Sequence, residues 1–94
     1  MLDTEPMKQP RSNHSSISHK GFVYVFGGFV KEEQKCLNSC ERFNVGKNKW
    51  ENIASMKVER SKPTVFIHKN SIYVIGGMSP SQSYLDNICE KYNE

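Results

Sequence analysis

The stretch Phe22-Val23-Tyr24-Val25-Phe26-Gly27-Gly28 returns forty-nine residues later as Ser71-Ile72-Tyr73-Val74-Ile75-Gly76-Gly77. Each copy is a run of β-branched and aromatic residues closed by a glycine doublet. That is the pattern of a buried strand ending where the backbone bends or another segment comes close. Laying residues 1–45 over residues 50–94 at this offset needs no gap and gives fourteen identical pairs, several times the chance level. Besides the tyrosine, valine and glycine pairs, these include Met7 on Met56, Arg11 on Arg60, Ser12 on Ser61, His19 on His68, Cys40 on Cys89 and Glu41 on Glu90. A period of this length belongs to propeller blades and solenoids, in which one supersecondary unit stacks on the next.

Within one period the sequence reads as four strands. The first covers 14–19 and again 63–68, and is closed by His19-Lys20-Gly21 and His68-Lys69-Asn70, where Gly or Asn supplies the positive φ of a tight hairpin. The opening stretch is the second strand. The connection that follows, 29–36 in one copy and 78–84 in the other, shares no residue between copies, as a surface loop permits. The third strand is 38–44, matched by 87–93. A turn at 45–48 then leads to a short fourth strand, Lys49–Ile53, whose counterpart would lie past residue 94. The reading therefore divides the chain into the tail of a preceding blade (1–10), one complete repeat (11–58) and a second, truncated repeat (59–94). It expects a segment of a longer propeller.

Composition narrows the class. With 94 residues, 24% charged and 36% hydrophobic, the chain is one small folded unit, neither a disordered tail nor a membrane protein. Its longest apolar run, Phe22–Phe26, is far below the roughly 20 residues that span a bilayer. Residues 1–6 carry acids and no apolar core, unlike a secretory signal. Three cysteines are an odd count, pointing to free thiols in a reducing, cytoplasmic setting. The net charge of +3 is interspersed, the sign of a solvated mixed surface, and no nucleic-acid or membrane partner is expected.

Catalytic and metal chemistry find no foothold in the pattern. Gly27-Gly28 lacks the spacing of a nucleotide fingerprint, and the serine-rich 12–18 holds no nucleophile elbow. Cys36 and Cys40 make a C-x3-C, but residues four apart on an extended strand stand about 13 Å from each other, too far for one metal ion. Cys40 and Cys89 are expected to pack as small hydrophobes, and His19 and His68 to be solvated turn residues. Tyr24, Tyr73, Phe43, Tyr92 and Trp50 fall on repeat positions and are expected in the core. No cofactor, metal ligand or catalytic residue is assigned.

Taken together, these residues resemble the kelch repeat: a Gly-Gly doublet after a Tyr-Val strand, then Glu41 and an aromatic, then Asn48-Lys49-Trp50, followed by Met56 and Arg60. The second copy ends before a counterpart of Trp50, and about two repeats are present. The resemblance implies an all-β fold, a partial kelch-type β-propeller with one complete four-stranded antiparallel blade and three strands of a second. It also implies a non-catalytic role in binding proteins through loops on one face, as a scaffold or as a substrate receptor of ubiquitin ligases. The rival readings are blades of a kelch-like copper oxidase, with ligands from blades outside this chain, and a truncated product without independent function.

Antiparallel connectivity brings the link into strand one and the loop between strands two and three to the same end of each blade. That end carries Arg11, Arg60 and the loop residues Lys31, Glu32, Glu33, Lys35, Ser81, Gln82 and Tyr84, the expected partner contacts. Arg11 and Arg60 recur at repeat positions and are expected to be structural, pairing with Glu41 and Glu90. With them, Gly27, Gly28, Gly76, Gly77, Tyr24, Tyr73 and Trp50 form the structural signature.

Overall fold

A computed structural model describes residues 6–79, 83–84 and 89–92. Strands β1 (Ser15–His19), β2 (Phe22–Phe26), β3 (Phe29–Val30), β4 (Lys35–Cys36), β5 (Cys40–Asn44) and β6 (Lys49–Ile53) belong to the first repeat. Strands β7 (Thr64–His68), β8 (Ser71–Ile75), β9 (Met78–Ser79), β10 (Ser83–Tyr84) and β11 (Cys89–Tyr92) belong to the second. The first repeat forms a four-stranded antiparallel sheet in the order β1-β2-β5-β6, and the second a three-stranded sheet in the order β11-β8-β7. This is one full propeller blade beside three strands of another. Of the expected third strand of the second blade, residues 87, 88 and 93 lie outside the described residues.

The registers of the two sheets match. Tyr24 stands opposite Ile17 and Arg42 in the first blade, and Tyr73 opposite Phe66 and Lys91 in the second. The hairpin turns are two-residue loops with both central residues at positive φ: Lys20 (50°) and Gly21 (84°), then Lys69 (50°) and Asn70 (65°). Such turns follow the right-handed twist of the flanking strands.

Alternation along the strands divides each blade into two faces. One face of the first blade presents Ile17, Phe22, Tyr24, Phe26, Cys40 and Ile53. The opposed face of the second presents Val65, Ile72, Val74, Glu90 and Tyr92. These two faces meet, so the core is the seam between blades: Tyr24, Phe26, Cys40, Met56, Ile72 and Val74 are buried there, with Tyr92 against Tyr24 at a centroid distance of 5.5 Å.

The outward faces account for two differences from the sequence reading. Cys40 lies on the seam and is 2% exposed, whereas Cys89, its repeat equivalent, lies on the face that no described blade covers and is exposed. Among the five aromatics expected in the core, Tyr24 is fully buried. Phe43, Trp50, Tyr73 and Tyr92 are half-buried. Phe43 packs on Trp50 (5.2 Å) on the outward face of the first blade, and Tyr73 stacks on Phe66 (5.4 Å) on that of the second.

Candidate interaction surface

The end of the blades where β1 and β7 begin is built on two copies of one ionic knot. Arg11 donates from Nη2 to Glu41 Oε2 at 2.9 Å, and from Nη1 to the carbonyls of Gly27 and Ser39 at 2.8 Å each. Glu41 also accepts the backbone N–H of Lys8 (2.7 Å) and Gln9 (3.0 Å). Both side chains are essentially inaccessible. In the second copy Arg60 donates to Glu90 Oε2 (2.9 Å) and to the Gly76 carbonyl (2.9 Å), while Lys57 and Val58 donate to Glu90 at 2.7 and 3.3 Å. A buried charge must be matched and fully hydrogen-bonded. Here each guanidinium ties the start of a repeat to the exit of its second strand and to its third.

Glu90 shows what the knot does electrically. Burial pushes its carboxyl up, but the N–H of Lys57, the Arg60 guanidinium and the N–H of Val58 outweigh that and hold it below the ordinary 4.5. At Cys40 burial prevails instead and pushes the thiol up to about 11, against the opposing pull of the Gly27 and Met56 backbone and of Arg11.

The glycine doublet is where one blade seats the next. Gly28 donates its N–H to the Arg60 carbonyl at 2.8 Å, and Arg60 donates its own to Leu37 at 3.0 Å. At Gly27, with φ +63°, an added Cβ would stand 2.5 Å from the Arg60 carbonyl oxygen. Gly28 and Gly77 lie against the carbonyls of Ser12 and Ser61, each 2.7 Å from where a Cβ would be. At Gly76 a Cβ would meet no described residue within 4 Å. Here the close approach implied by the doublet becomes a specific blade-to-blade contact.

Beyond the doublet the structure adds an element that the sequence reading left as a loop. β3 pairs with β4 as a small antiparallel hairpin, and Phe29 also bridges back to Ser12. β9 and β10 repeat this, with Met78 bridging to Ser61. Val30 and Leu37 anchor the first hairpin, at 7% and 8% exposure. Its tip holds Lys31, Glu32, Glu33, Gln34 and Lys35, all exposed, with Lys35 and Glu33 3.7 Å apart. Of the second loop, Ser81 and Gln82 lie outside the described residues, and the Tyr84 side chain is likewise not described.

Cys36 and Cys40 fall on separate strands, with Cys36 reaching the Met78 carbonyl at 3.6 Å. His68 is exposed. His19 is not the solvated residue expected: it turns toward the seam, and its Nε2 is buried without a hydrogen-bond partner among the described residues. A shallow groove lined by Phe26, Met56, Val74, Glu90 and Tyr92 follows the seam.

Twisted four-stranded antiparallel blades, stacked face to face through a glycine doublet, define a β-propeller. The Kelch motif matches residues 10–57, just over half of the chain, and the chain belongs to the kelch-repeat family. It is 43% identical over 54 residues to Kelch-like protein 38 of Homo sapiens, covering 57% of this chain and 9% of that protein. To Kelch-like protein 41a of Danio rerio it is 46% identical over 48 residues, 51% of this chain and 8% of that one. A cowpox virus Kelch repeat and BTB domain-containing protein 1 is 27% identical over 57 residues, covering 61% of this chain and 10% of that one. Among solved structures, that of YjhT superposes with a TM-score of 0.67 at 28% identity, over 74% of this chain and 22% of its own. The chain thus spans about a tenth of the length of the curated relatives it matches. No helix of the described residues is long and apolar enough to cross a membrane.

Proposed function

We propose that these blades are a non-catalytic protein-binding segment of a kelch propeller, contacting a partner through the hairpin tips at the end where the Arg–Glu knots lie. The observation that carries this reading is the division of labour within each repeat. The arginines, glutamates, glycines and strand-two residues common to both copies are consumed by the knots, the glycine seats and the sheets, whereas Lys31, Glu32, Glu33 and Lys35, which differ between copies, are presented exposed on an anchored hairpin. A rigid base under a variable, charged tip limits the ordering cost of binding and leaves specificity to the tip. The corresponding loop residues Ser81, Gln82 and Tyr84 are proposed as the partner contacts of the second repeat. Within a longer protein carrying an adaptor domain, such as the BTB domain in the cowpox relative's name, the surface serves as a receptor for proteins to be ubiquitinated.

The test is a pull-down with the complete propeller in which 31–35 and 79–84 are replaced by Gly-Ser. Loss of a partner at unchanged thermal stability supports the reading, and retention of every partner overturns it.

A further inference from the structure

Among the described residues, the opposite end of the blades, where the tight turns lie, carries charge of one sign. The β1–β2 turn presents Lys20, the β7–β8 turn presents Lys69 beside His68, and the β5–β6 turn presents Lys47 next to Lys49. All five side chains are exposed. No aspartate or glutamate lies in these turns among the described residues, and the nearest acid along the chain, Glu51, is held by Arg42 at 2.6 Å. The hairpin end is different, with lysines and glutamates mixed and partly paired.

A second observation makes this more than a count of lysines. Lys20 and Lys69 both sit at φ 50°, in the first central position of a two-residue hairpin turn. That position favours Asn, Asp or Gly, because a side chain with a Cβ crowds the following carbonyl there. The chain accepts the disfavoured conformation twice, at equivalent places, and on both occasions displays a lysine. Backbone outliers of this kind point to function when the turn itself gains nothing from them.

We infer that the turn end is a second docking surface, for an acidic polypeptide segment. Lys20 and Lys69 lie on neighbouring sheets, which pack about 10 Å apart, close to the span of three residues of extended chain. Carboxylates spaced along an extended peptide therefore reach both. Single-stranded nucleic acid would need aromatic platforms between the cations. The rings nearest these turns are already engaged, Phe43 on Trp50 and Phe22 under the Arg42 guanidinium at 3.9 Å. An anionic membrane would need apolar side chains to insert beside the lysines, and Val45 is the one large aliphatic at the tips of the described turns.

The substitutions Lys20→Asn and Lys69→Asn test this without risking the fold, since Asn is what the turn prefers. Binding is followed by fluorescence anisotropy of a labelled peptide of alternating Glu and Gly, with an oligothymidylate and phosphatidylserine vesicles as comparators. The full chain is expected to bind the peptide in preference to both comparators, and more weakly as salt rises. Each substitution should weaken binding about fivefold while raising the melting temperature. Replacing 31–35 by Gly-Ser should leave this binding unchanged, which separates it from the hairpin-end surface. Peptide binding that is absent, that survives both substitutions, or that is matched by oligothymidylate or vesicles overturns the inference.

Discussion

Two glycines at equivalent repeat positions provide an internal control for the way blades are joined. Gly27→Ala and Gly76→Ala impose the same backbone penalty, because φ is +63° at one and +75° at the other, and an alanine in that region costs about 1–2 kcal/mol. Among the described residues, only Gly27 has a blade against it. Its new methyl would fall 2.5 Å from the Arg60 carbonyl oxygen, backbone that can yield only by pulling the second blade away. Overpacking of this kind costs about 1–3 kcal/mol. The adjoining Gly28–Arg60 hydrogen bond, 2.8 Å long, is worth about 1 kcal/mol more. Gly27→Ala should therefore destabilise by about 3–6 kcal/mol and Gly76→Ala by about 1–2 kcal/mol.

Urea unfolding of the isolated chain, followed by the fluorescence of Trp50 against Phe43, reads the difference. At a slope of about 1 kcal/mol per molar urea, the two midpoints separate by about 2–4 M. Equal losses at the two positions would refute the seat and reduce the doublet to a turn. In a longer chain with a third blade over Gly76, the same account requires the two costs to converge.

The remaining predictions concern the knots and the thiols. Arg11→Met leaves the Glu41 carboxylate, 1% exposed, without its guanidinium and should cost about 3 kcal/mol in chemical denaturation, with partial recovery in the Arg11→Met/Glu41→Leu pair. Because the folded Glu90 carboxyl is held below its ordinary value of 4.5, its contribution is complete above that value and is lost as pH falls through the folded value. Wild type should therefore lose stability relative to Glu90→Gln as pH falls below the ordinary 4.5, and parallel curves would contradict this. Iodoacetamide should modify exposed Cys89 first. Cys40, its thiol pushed up to about 11, should react about 100-fold more slowly than an ordinary thiol and fully only on unfolding, as peptide mass spectrometry would show.

The offset of forty-nine was enough to lay out the blades because the residues that make a blade are the ones the copies share. Tyr24 and Tyr73, the Arg–Glu pairs and the glycines have the same registers in both sheets. What the offset could not show lies in two places. The β3–β4 and β9–β10 hairpins depend on backbone bridges to Ser12 and Ser61, and backbone pairing leaves no side-chain signature where the loops differ. Equivalent residues also met unequal surroundings: Cys40 and Cys89 share strand, register and identity, yet a neighbouring blade covers only the first. The same neighbour turns His19 from a solvated turn residue into one half-buried at the seam. A repeat period specifies the unit, while exposure depends on what stands on either side of it.

The claim that the shared glycine, knot and seam residues build the propeller while the divergent hairpin tips carry partner recognition is most directly tested by measuring partner affinity and unfolding free energy for one paired set of variants in the complete propeller. Replacing 31–35 by Gly-Ser should abolish partner binding with unfolding unchanged, while Gly27→Ala should lower stability and leave the affinity of the remaining folded protein intact. Full partner affinity in the hairpin variant would contradict the account.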